Sequence, residues 1–319
     1  MYGHFVPQVY QKAWHTANGK RNVLYFNKND LSKPIDNNGG NIENNLGIED
    51  LYIFDQSDYS NGLIADERQL ETYFNHEIEN KWSISLKKMY DMLSCFRNQN
   101  MRRVAIKESD IPSSFTHDLL SFVIIQYFRI KKNFTKAENG IIDFILDICK
   151  EEYSKFTGVP QGKIPDLKTD PNFYNSIWKS ILLNCFEKKD SILDVVSNKL
   201  LETCSVVVFT IDSAYPTLIL SDNPVIWNAY ANKPIKELES GVFMPLDPNT
   251  LIGIMNFGID SNIKKGDYVF IKANINFFKF INYLLLKQSD NTIGFSNLNV
   301  EKQISSSFNK QNDWDSMFF

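Results

Sequence analysis

A carboxylate and an amide stand where a predicted buried strand ends in this 319-residue chain. The sequence Ser221-Asp222-Asn223-Pro224 follows directly on the apolar run Leu218–Leu220. Loops on rigid elements are common places for functional sites, so Asp222 is a candidate catalytic residue and Asn223 a candidate substrate-binding residue. Turn propensity alone favours an Asx-type turn, in which Asp and Asn side chains bond the local backbone.

The amino end carries a second group of candidates. His4 is followed by an apolar segment that includes Val6, Val9 and Tyr10, although chain ends are normally polar and frayed. We therefore expect this segment to pack on the core, with His4 as a general acid or base and Gln8 as a substrate-binding amide. The alternative is that His4 only fills a hydrogen bond at the edge of the core.

Two predicted helices carry the remaining candidates. Apolar residues recur at helical spacing from Asp66 to Leu93, and Glu71 and Glu79 lie eight residues apart, close to one side of that helix. Carboxylates so placed can activate water or hold Mg²⁺, although a solvated acidic face has the same pattern.

The second helix is predicted over 113–132 and is apolar nearly all round. Gln126 and Arg129 interrupt it three residues apart, so they share a face. A buried Arg needs a partner. In the functional interpretation both side chains line a cleft and bind an anionic substrate group. In the alternative, Arg129 pairs internally with a Glu of the preceding helix.

The pattern of elements predicts an α+β fold: mainly a helical bundle packed against a mixed or antiparallel β-sheet formed by the N-terminal and C-terminal segments. We expect one domain over 1–300, with N-terminal strands in 1–60, the helical bundle in 66–204, the sheet and a last helix in 205–300, and a tail over 301–319. The individual elements are predicted as follows: strands over 23–26, 51–54, 206–211, 218–220, 225–227, 241–247, 251–255, 268–272 and 293–295; a short helix from Pro7 to Trp14; further helices over 141–156, 173–187, 192–204 and 273–288; and loops over 37–45 and 98–107. The strands over 206–211 and 218–220 are expected to fold back on each other at Ser213–Pro216.

Composition limits the function classes. The formal net charge of −4 does not indicate a broad nucleic-acid-binding face, although a local basic groove is compatible with it. The four cysteines are far apart among apolar residues, which favours buried free thiols over zinc ligands or disulfides. We find neither a transmembrane stretch nor a signal-peptide pattern, so we expect a cytoplasmic protein with no membrane partner.

Several pieces of the sequence, in order, resemble the domain of unknown function 4238 family. They are His4-Phe5-Val6-Pro7-Gln8-Val9-Tyr10, Gly19–Phe26, Leu51-Tyr52, Leu70-Glu71, Ile78-Glu79, Gln126-x-x-Arg129, Ser221-Asp222-Asn223-Pro224, Met244-Pro245-Leu246 and Asn282. One departure is Asp247, where the family pattern has Ser. The resemblance covers nearly the whole chain and implies site positions rather than an activity.

Two function classes follow. In the first, seven of the candidates converge in one cleft between the helical bundle and the sheet: His4, Gln8, Glu71, Glu79, Gln126, Arg129 and Asp222. They hydrolyse a phosphodiester or nucleotide, with nucleic acid or nucleotide as substrate, as in a nuclease-like toxin or anti-phage effector. The sequence has no nucleophile elbow, P-loop, dinucleotide fingerprint or His-Glu-x-x-His helix, which disfavours serine hydrolases, P-loop nucleotidases, dehydrogenases and zincins. In the second, the same residues form a structural polar network, or bind a small anion or a protein without chemistry.

Overall fold

The computed structural model describes only part of the 319-residue chain. The described residues are 2–4, 6–15, 22–36, 40–49, 72–97, 103–107, 110–111, 113–130, 133, 154, 159–163, 182, 191–202, 204–211, 218–227, 241–255 and 267–296. The predicted strand over 51–54, the predicted helices over 141–156 and 173–187, the tail over 301–319, and Glu71, Cys149 and Cys185 fall outside them, or almost entirely so.

Strands and helices alternate irregularly along the described residues, as in an α+β fold. The strands are β1 Tyr2–His4, β2 Asn22–Asn27, β3 Gly40–Asn41, β4 Gly47–Glu49, β5 Arg103–Ile106, β6 Ser205–Thr210, β7 Leu220–Ser221, β8 Ile226–Trp227, β9 Gly241–Asp247, β10 Thr250–Met255, β11 Tyr268–Lys272 and β12 Thr292–Phe295. The α-helices are α1 Gln8–Gln11, α2 Asn80–Arg97, α3 Ser113–Phe128, α4 Ile192–Leu201 and α5 Ile275–Gln288. Three 3₁₀ turns, Lys12–Trp14, Ile42–Asn44 and Gln161–Lys163, and a π-helix, Phe74–Glu79, complete the described elements.

The larger sheet has the strand order β5-β11-β6-β10-β9-β8. Its strands are antiparallel except β6 and β11, which run parallel, so the sheet is mixed as expected. The central strand β6 is an uninterrupted apolar run because both of its faces are covered. Val206 and Val208 belong to the core cluster that contains α2 and α3 side chains, whereas Val207 and Phe209 belong to the cluster that contains α5 side chains.

The four-stranded sheet, called the smaller sheet below, joins the two ends of the chain in the order β3-β2-β12-β7, with every pair antiparallel. A third sheet consists only of β1 and β4, which are also antiparallel. Phe26 of β2 lies opposite Ile293 of β12. The strands β2 and β12 approach each other so closely that position 294 requires a glycine. A Cβ at that position would stand 2.9 Å from Cγ1 of Val23. The expectation was a single sheet formed by the N-terminal and C-terminal segments. The smaller sheet does combine them, whereas the larger sheet contains β5 from the middle of the chain and strands of the C-terminal segment.

Helix α3 packs at the centre of the first core cluster, as its nearly uniform apolar sequence predicts. The ring of Phe122 stacks on Trp82 of α2 with centroids 3.8 Å apart, and Phe115 meets Tyr268 of β11. The predicted helix over 113–132 is confirmed, although the α-helix ends at Phe128. The packing of Phe115 and Phe122 holds α3 in place, and with it the residues at its carboxyl end, where Arg129 follows.

Several sequence-based expectations were wrong. The segment 98–107 contains β5, which pairs with β11 at the edge of the sheet rather than forming only a loop. The strands on either side of Ser213–Pro216 do not pair with each other, because β6 lies in the larger sheet and β7 in the smaller one. Cys95 is exposed rather than buried, whereas Cys204 is a buried free thiol as expected.

A helical bundle over 66–204 is not shown by the described residues. That range contributes α2, α3, α4, the π-helix and strand β5, and the long helix predicted from Asp66 is described only from residue 72. Within the described residues, no helix has both the length and the apolar character needed to cross a membrane.

Candidate functional site

Arg129 lies just beyond the carboxyl end of α3, and its side chain is only 2% exposed. Both terminal nitrogens, Nη1 and Nη2, donate to the same oxygen of Glu79, Oε1, at 3.0 Å each. The guanidinium carbon also stands 4.2 Å from the centroid of the Phe74 ring. A carboxylate and an aromatic face together satisfy a cation that would be costly to bury alone. The internal pairing of Arg129 with a Glu of the preceding helical segment, which was the alternative to a substrate-binding role, is therefore present.

Phe74 and Glu79, which both contact Arg129, are the first and last residues of the π-helix Phe74–Glu79. A π-helix joins residues five apart by backbone hydrogen bonds, whereas an α-helix joins residues four apart. The wider turn therefore links Phe74 and Glu79 directly, and both contact the same guanidinium. Single π-turns occur often at functional sites, which makes this local geometry informative.

His4, the last residue of β1, is half-buried beside the 3₁₀ turn Ile42–Asn44. Its Nε2 lies 3.1 Å from the carbonyl oxygen of Glu43 and 3.4 Å from the side-chain nitrogen of Gln8. A carbonyl oxygen can only accept, so Nε2 carries the hydrogen in the first contact. A protonated Nε2 cannot accept a hydrogen bond. The Gln8 side chain can therefore be a second partner of Nε2 only if its amide oxygen, and not its nitrogen, faces His4 and accepts.

Burial is the main cause that lowers the pKa of His4 below its ordinary value, and the positive charge of Arg129 lowers it further. The backbone carbonyls of Glu43 and Ile42 and the charge of Glu79 act in the opposite direction and raise the pKa. The imidazole is therefore neutral at pH 7 and able to accept a proton. The charges of Glu79 and Arg129 are thus both close enough to act on the imidazole.

Gln126 is fully buried on α3, three residues before Arg129. This spacing places both side chains on one helix face, as the sequence indicated. His4 contacts Gln8, and the charges of Glu79 and Arg129 act on its pKa, while Gln126 lies next to Arg129 on the same helix. We refer to these five residues as the arginine cluster.

Asp222 lies in a different network. Its Oδ1 accepts from the hydroxyl of Ser289 at 2.7 Å and from the backbone N–H of Asp290 at 3.0 Å. Its Oδ2 accepts from the backbone N–H groups of Asn291 and Thr292 at 2.7 and 2.9 Å. The carboxylate therefore closes the turn between α5 and β12, and both oxygens are fully engaged. The described contacts of Asp222 are with this turn and not with the arginine cluster.

Asn223 also ties distant segments together. Its amide exchanges hydrogen bonds with the amide of Asn133, at 2.8 and 3.3 Å, just past the end of α3. Its backbone N–H donates to the hydroxyl of Ser221 at 3.0 Å, so the local turn is made by a serine side chain. The predicted Asx-type turn is not formed, because the Asp222 and Asn223 side chains bond distant segments instead. The side chain of Gln288 donates to the carbonyl oxygens of Asn223 and Val225. Residues 221–227 therefore connect the end of α3, α5 and β12, and we refer to this segment as the 221–227 junction.

Sequence reasoning missed a buried residue near the amino end. Gln11 is fully buried, donates to the carbonyl oxygen of Val6 at 2.6 Å, and accepts from the hydroxyl of Tyr25. It fixes the path of the chain between β1 and β2. A glutamine among the aromatic residues of a predicted core segment was the available signal.

A second missed cluster joins α3 to α4. His117 contacts Asp194 through Nε2 at 2.5 Å, and Ser121 lies 3.4 Å from its Nδ1. The order of groups is that of a serine–histidine–aspartate relay. However, Ser121 is only 5% exposed, and Asp194 already completes the capping box that begins α4 with Ser191. This arrangement suits a contact between helices better than attack on a substrate.

No group of three or more His, Cys, Asp or Glu side chains arranged to hold a metal occurs within the described residues. Glu79 is the one cluster member with a carboxylate, and its Oε2 bonds no other described residue. The expected second carboxylate, Glu71, lies outside the described residues. The Mg²⁺ expectation therefore remains a prediction.

A family model described as a protein of unknown function, DUF4238, matches residues 2–298. The chain belongs to the DUF4238 family. The resemblance expected from the ordered sequence pieces is thus confirmed over nearly the whole chain. Comparisons with curated proteins and with solved structures found no match. The arginine cluster and the 221–227 junction both lie inside the part of the chain that the DUF4238 match covers.

Proposed function

We propose that the arginine cluster of this DUF4238 protein is the active site of a hydrolase that acts on a phosphodiester or a nucleotide. The observation that carries the proposal is a half-buried imidazole, neutral at pH 7, in the electrostatic field of a buried Arg–Glu pair. Such a group can accept a proton from water where water alone is a poor nucleophile. Pairs of groups with different charge states in one site are typical of acid–base enzymes.

In the proposed reaction, His4 takes a proton from a water molecule while the water oxygen forms a bond to phosphorus. The bond between phosphorus and the leaving oxygen breaks, and the imidazolium returns the proton to that oxygen. Glu79 raises the pKa of His4, so it would stabilise the imidazolium formed during the reaction. Gln8, Gln126 and Arg129 would bind the phosphate oxygens.

A metal ion fits this proposal in one respect. The Oε2 atom of Glu79 bonds no other described residue, and carboxylate oxygens are preferred Mg²⁺ ligands. Glu71 is the further ligand we propose. The toxin or anti-phage role, the nucleic-acid or nucleotide partner and the cytoplasmic location are parts of the same proposal, as is a helical bundle over 66–204 that would form the wall of the site.

A second candidate function is a non-catalytic one, in which the polar residues form a structural network or bind a small anion or a protein. Two observations favour it. The Arg129 side chain is 2% exposed and already holds a carboxylate, and all the described contacts of Asp222 serve a backbone turn. For the hydrolase, the consequence is that Asp222 positions elements and takes no part in proton transfer.

The test is hydrolysis of a panel of phosphodiesters and nucleotides, with and without Mg²⁺, by the wild type and His4→Asn. The Asn side chain keeps a donor for the Glu43 carbonyl but cannot accept a proton at neutral pH. We expect at least a hundredfold loss of kcat with little change in melting temperature. His76→Asn is the matched control, since His76 is exposed.

An unchanged rate in His4→Asn would contradict the assignment of His4 as the base. If the wild type hydrolyses nothing in the panel and His4→Asn mainly lowers the melting temperature, the network function is supported instead. Expression of the wild type and His4→Asn in a bacterial host, with nucleic acids and nucleotide pools profiled, tests the toxin role separately.

A further inference from the structure

The turn between β9 and β10 carries a carboxylate that forms no ion pair with any described residue. Asp247 is half-buried and accepts two hydrogen bonds. Its Oδ1 accepts from the backbone N–H of Asn249 and its Oδ2 from the hydroxyl of Tyr90 on α2, each at 2.6 Å. A carboxylate has about four lone pairs, so both oxygens can accept further hydrogen bonds. Because the charge is partly removed from water, a cation close to it would be stabilising.

The same turn contains a buried acceptor that lacks a donor. The side-chain oxygen of Asn249, Oδ1, has no hydrogen-bond partner within the described part of the chain. Burying an acceptor in this state costs free energy, because the oxygen has lost its hydrogen bonds to water. Asp247 and Asn249 lie two residues apart and are joined by the bond from backbone to carboxylate. A positively charged hydrogen-bond donor would therefore satisfy both side chains.

The hydroxyl of Tyr10, on α1, is the third group. The side chain is 1% exposed, and its hydroxyl bonds no other residue among those described. Burial raises the pKa of the Tyr10 phenol well above its ordinary value, and the charge of Asp247 raises it further. The phenol is therefore neutral, and its hydroxyl lies within electrostatic reach of the carboxylate. A phenol oxygen can accept a hydrogen bond as well as donate one.

A series of contacts independently brings α1 to this turn. The ring of Tyr10 lies against that of Trp14, with centroids 5.0 Å apart. The indole of Trp14 donates to the carbonyl oxygen of Leu218 at 2.9 Å. The backbone N–H of Leu218 in turn donates to the carbonyl oxygen of Pro248 at 2.7 Å. Pro248 stands between Asp247 and Asn249, so the packing of α1 and the electrostatic effect on Tyr10 indicate the same place.

These groups fit a primary ammonium better than a metal ion. A primary ammonium has three N–H donors and one positive charge. Asp247, Asn249 and Tyr10 offer three acceptors, and the single carboxylate balances the charge. Trp14 and Tyr90 place aromatic rings beside them, and aromatic faces attract ammonium groups. A Ca²⁺ ion, by contrast, takes about 6–8 oxygen ligands, more than these three side chains supply.

We propose that the β9–β10 turn and the hydroxyl of Tyr10 bind the protonated amine of a small primary-amine ligand, with its N–H groups donating to Asp247, Asn249 and Tyr10. We refer to these three residues as the ammonium site. The half-buried turn residues form its solvent side and Tyr10 its inner end. The inference goes beyond the hydrolase proposal and does not depend on it.

The experiment measures the melting temperature of the full chain at neutral pH against the concentration of methylammonium chloride. Sodium chloride and tetramethylammonium chloride at equal ionic strength are the references, because tetramethylammonium has the same charge but no N–H group. We expect methylammonium to raise the melting temperature of the wild type above both references. In Asp247→Asn, which loses the charge and keeps the volume, we expect at least about tenfold weaker apparent binding of methylammonium.

Tyr10→Phe is the second variant, and it removes only the hydroxyl. In sodium chloride it should melt at or above the temperature of the wild type, because a buried hydroxyl without a partner contributes no stability. Its response to methylammonium should nevertheless be weaker. Tyr268→Phe is the matched control, since the hydroxyl of Tyr268 donates to Thr116 at 2.9 Å. That variant should melt at a lower temperature and keep the methylammonium response of the wild type.

Three results would overturn the inference. The first is a wild type that responds to methylammonium no more than to tetramethylammonium. The second is a wild-type response that persists in both Asp247→Asn and Tyr10→Phe, because the amine would then bind elsewhere. The third is an equal or larger shift with sodium or calcium chloride that is lost in Asp247→Asn, which would assign the site to an inorganic cation. If Asp247→Asn does not fold, Tyr10→Phe against Tyr268→Phe decides the question.

Discussion

Asp222 and Glu79 are both largely buried carboxylates in predicted site segments, but their hydrogen bonds give them different capacities. Asp222 accepts four hydrogen bonds through two oxygens, so it has no lone pair left for a substrate proton. Glu79 uses one oxygen only, on one guanidinium. Of the two carboxylates, only Glu79 therefore has an oxygen that bonds no other described residue.

We predict that Asp222→Ala lowers the free energy of unfolding by at least about 3 kcal/mol, because several charge-assisted hydrogen bonds are lost and buried N–H groups are left without acceptors. Denaturant unfolding measures this. Asp91→Ala is the control, since Asp91 is exposed. A change in Asp222→Ala as small as that of the control would show that the turn between α5 and β12 does not need this carboxylate.

The lowered pKa of His4 predicts a pH dependence of stability. The unfolded state binds a proton at His4 more readily than the folded state, so the contribution of this residue is fully present above the unfolded pKa of about 6.5. It is lost as the pH falls from that value through the folded pKa. We expect the melting temperature of the wild type to fall more steeply below pH 6.5 than that of His4→Asn.

Parallel curves for the two proteins from pH 7.5 to pH 5 would contradict the lowered pKa. His76→Asn serves here as the control for removal of a histidine, because His76 is exposed. At this scale the sequence offered, as the alternative to a substrate-binding role, the internal pairing of Arg129 with a Glu of the preceding helix, and Glu79 is that partner. It could not show which of the carboxylates would have its oxygens engaged by backbone N–H groups, since those groups come from the turn after α5.

At the scale of helices and strands, the periodicity of apolar residues was sufficient to predict some elements and not others. Helix α3, helix α5, β6 and the β9–β10 hairpin follow from apolar spacing and turn residues, and all are present close to the predicted bounds. The π-helix Phe74–Glu79 was missed because a six-residue change of turn width barely alters an apolar pattern. Strand β5 was missed because it lies in a basic segment and forms the edge of the larger sheet. Its side chains there are only half-buried or exposed, so they give no clear apolar pattern.

The smaller sheet gives a prediction at the level of a single element. A methyl group at Gly294 would stand 2.9 Å from a side-chain carbon of Val23 and 3.2 Å from Leu220, so β12 cannot accept it without moving its neighbours. We expect Gly294→Ala to destabilise the protein by about 1–3 kcal/mol in denaturant unfolding. Gly162→Ala is the matched control, since nothing lies within 4 Å of a Cβ there.

Equal stability of the two glycine variants would mean that β2, β7 and β12 adjust to the added carbon at no cost. In that case the close packing of the smaller sheet could not explain the glycine at position 294.

For the molecule as a whole, the contacts that matter most join residues far apart in sequence. The indole of Trp14 donates to the carbonyl oxygen of Leu218 at 2.9 Å, and Asn133 and Asn223 exchange side-chain hydrogen bonds across 90 residues. Sequence reasoning predicted an α+β fold with a sheet shared by both ends. It could not assign β6 and β7 to different sheets, because strand pairing depends on partners that periodicity does not identify.

The amide pair predicts an energetic coupling between the end of α3 and the 221–227 junction. In a double-mutant cycle of Asn133→Ala and Asn223→Ala we expect a coupling free energy of about 1–2 kcal/mol, since both single variants break the same buried contact. Pairing Asn133→Ala with Gly162→Ala should give additive effects. Additivity in the asparagine cycle would show that the two segments are held together by other contacts.

The pairing of Phe26 with Ile293 has a consequence for how the chain folds during translation. Elongation proceeds at about 5–20 residues per second, so β2 emerges on the order of tens of seconds before its partner strand exists. Throughout that interval an apolar strand remains without one neighbour. Chaperone binding to nascent chains should accordingly concentrate on the early strand, and should end only when translation has passed the last one.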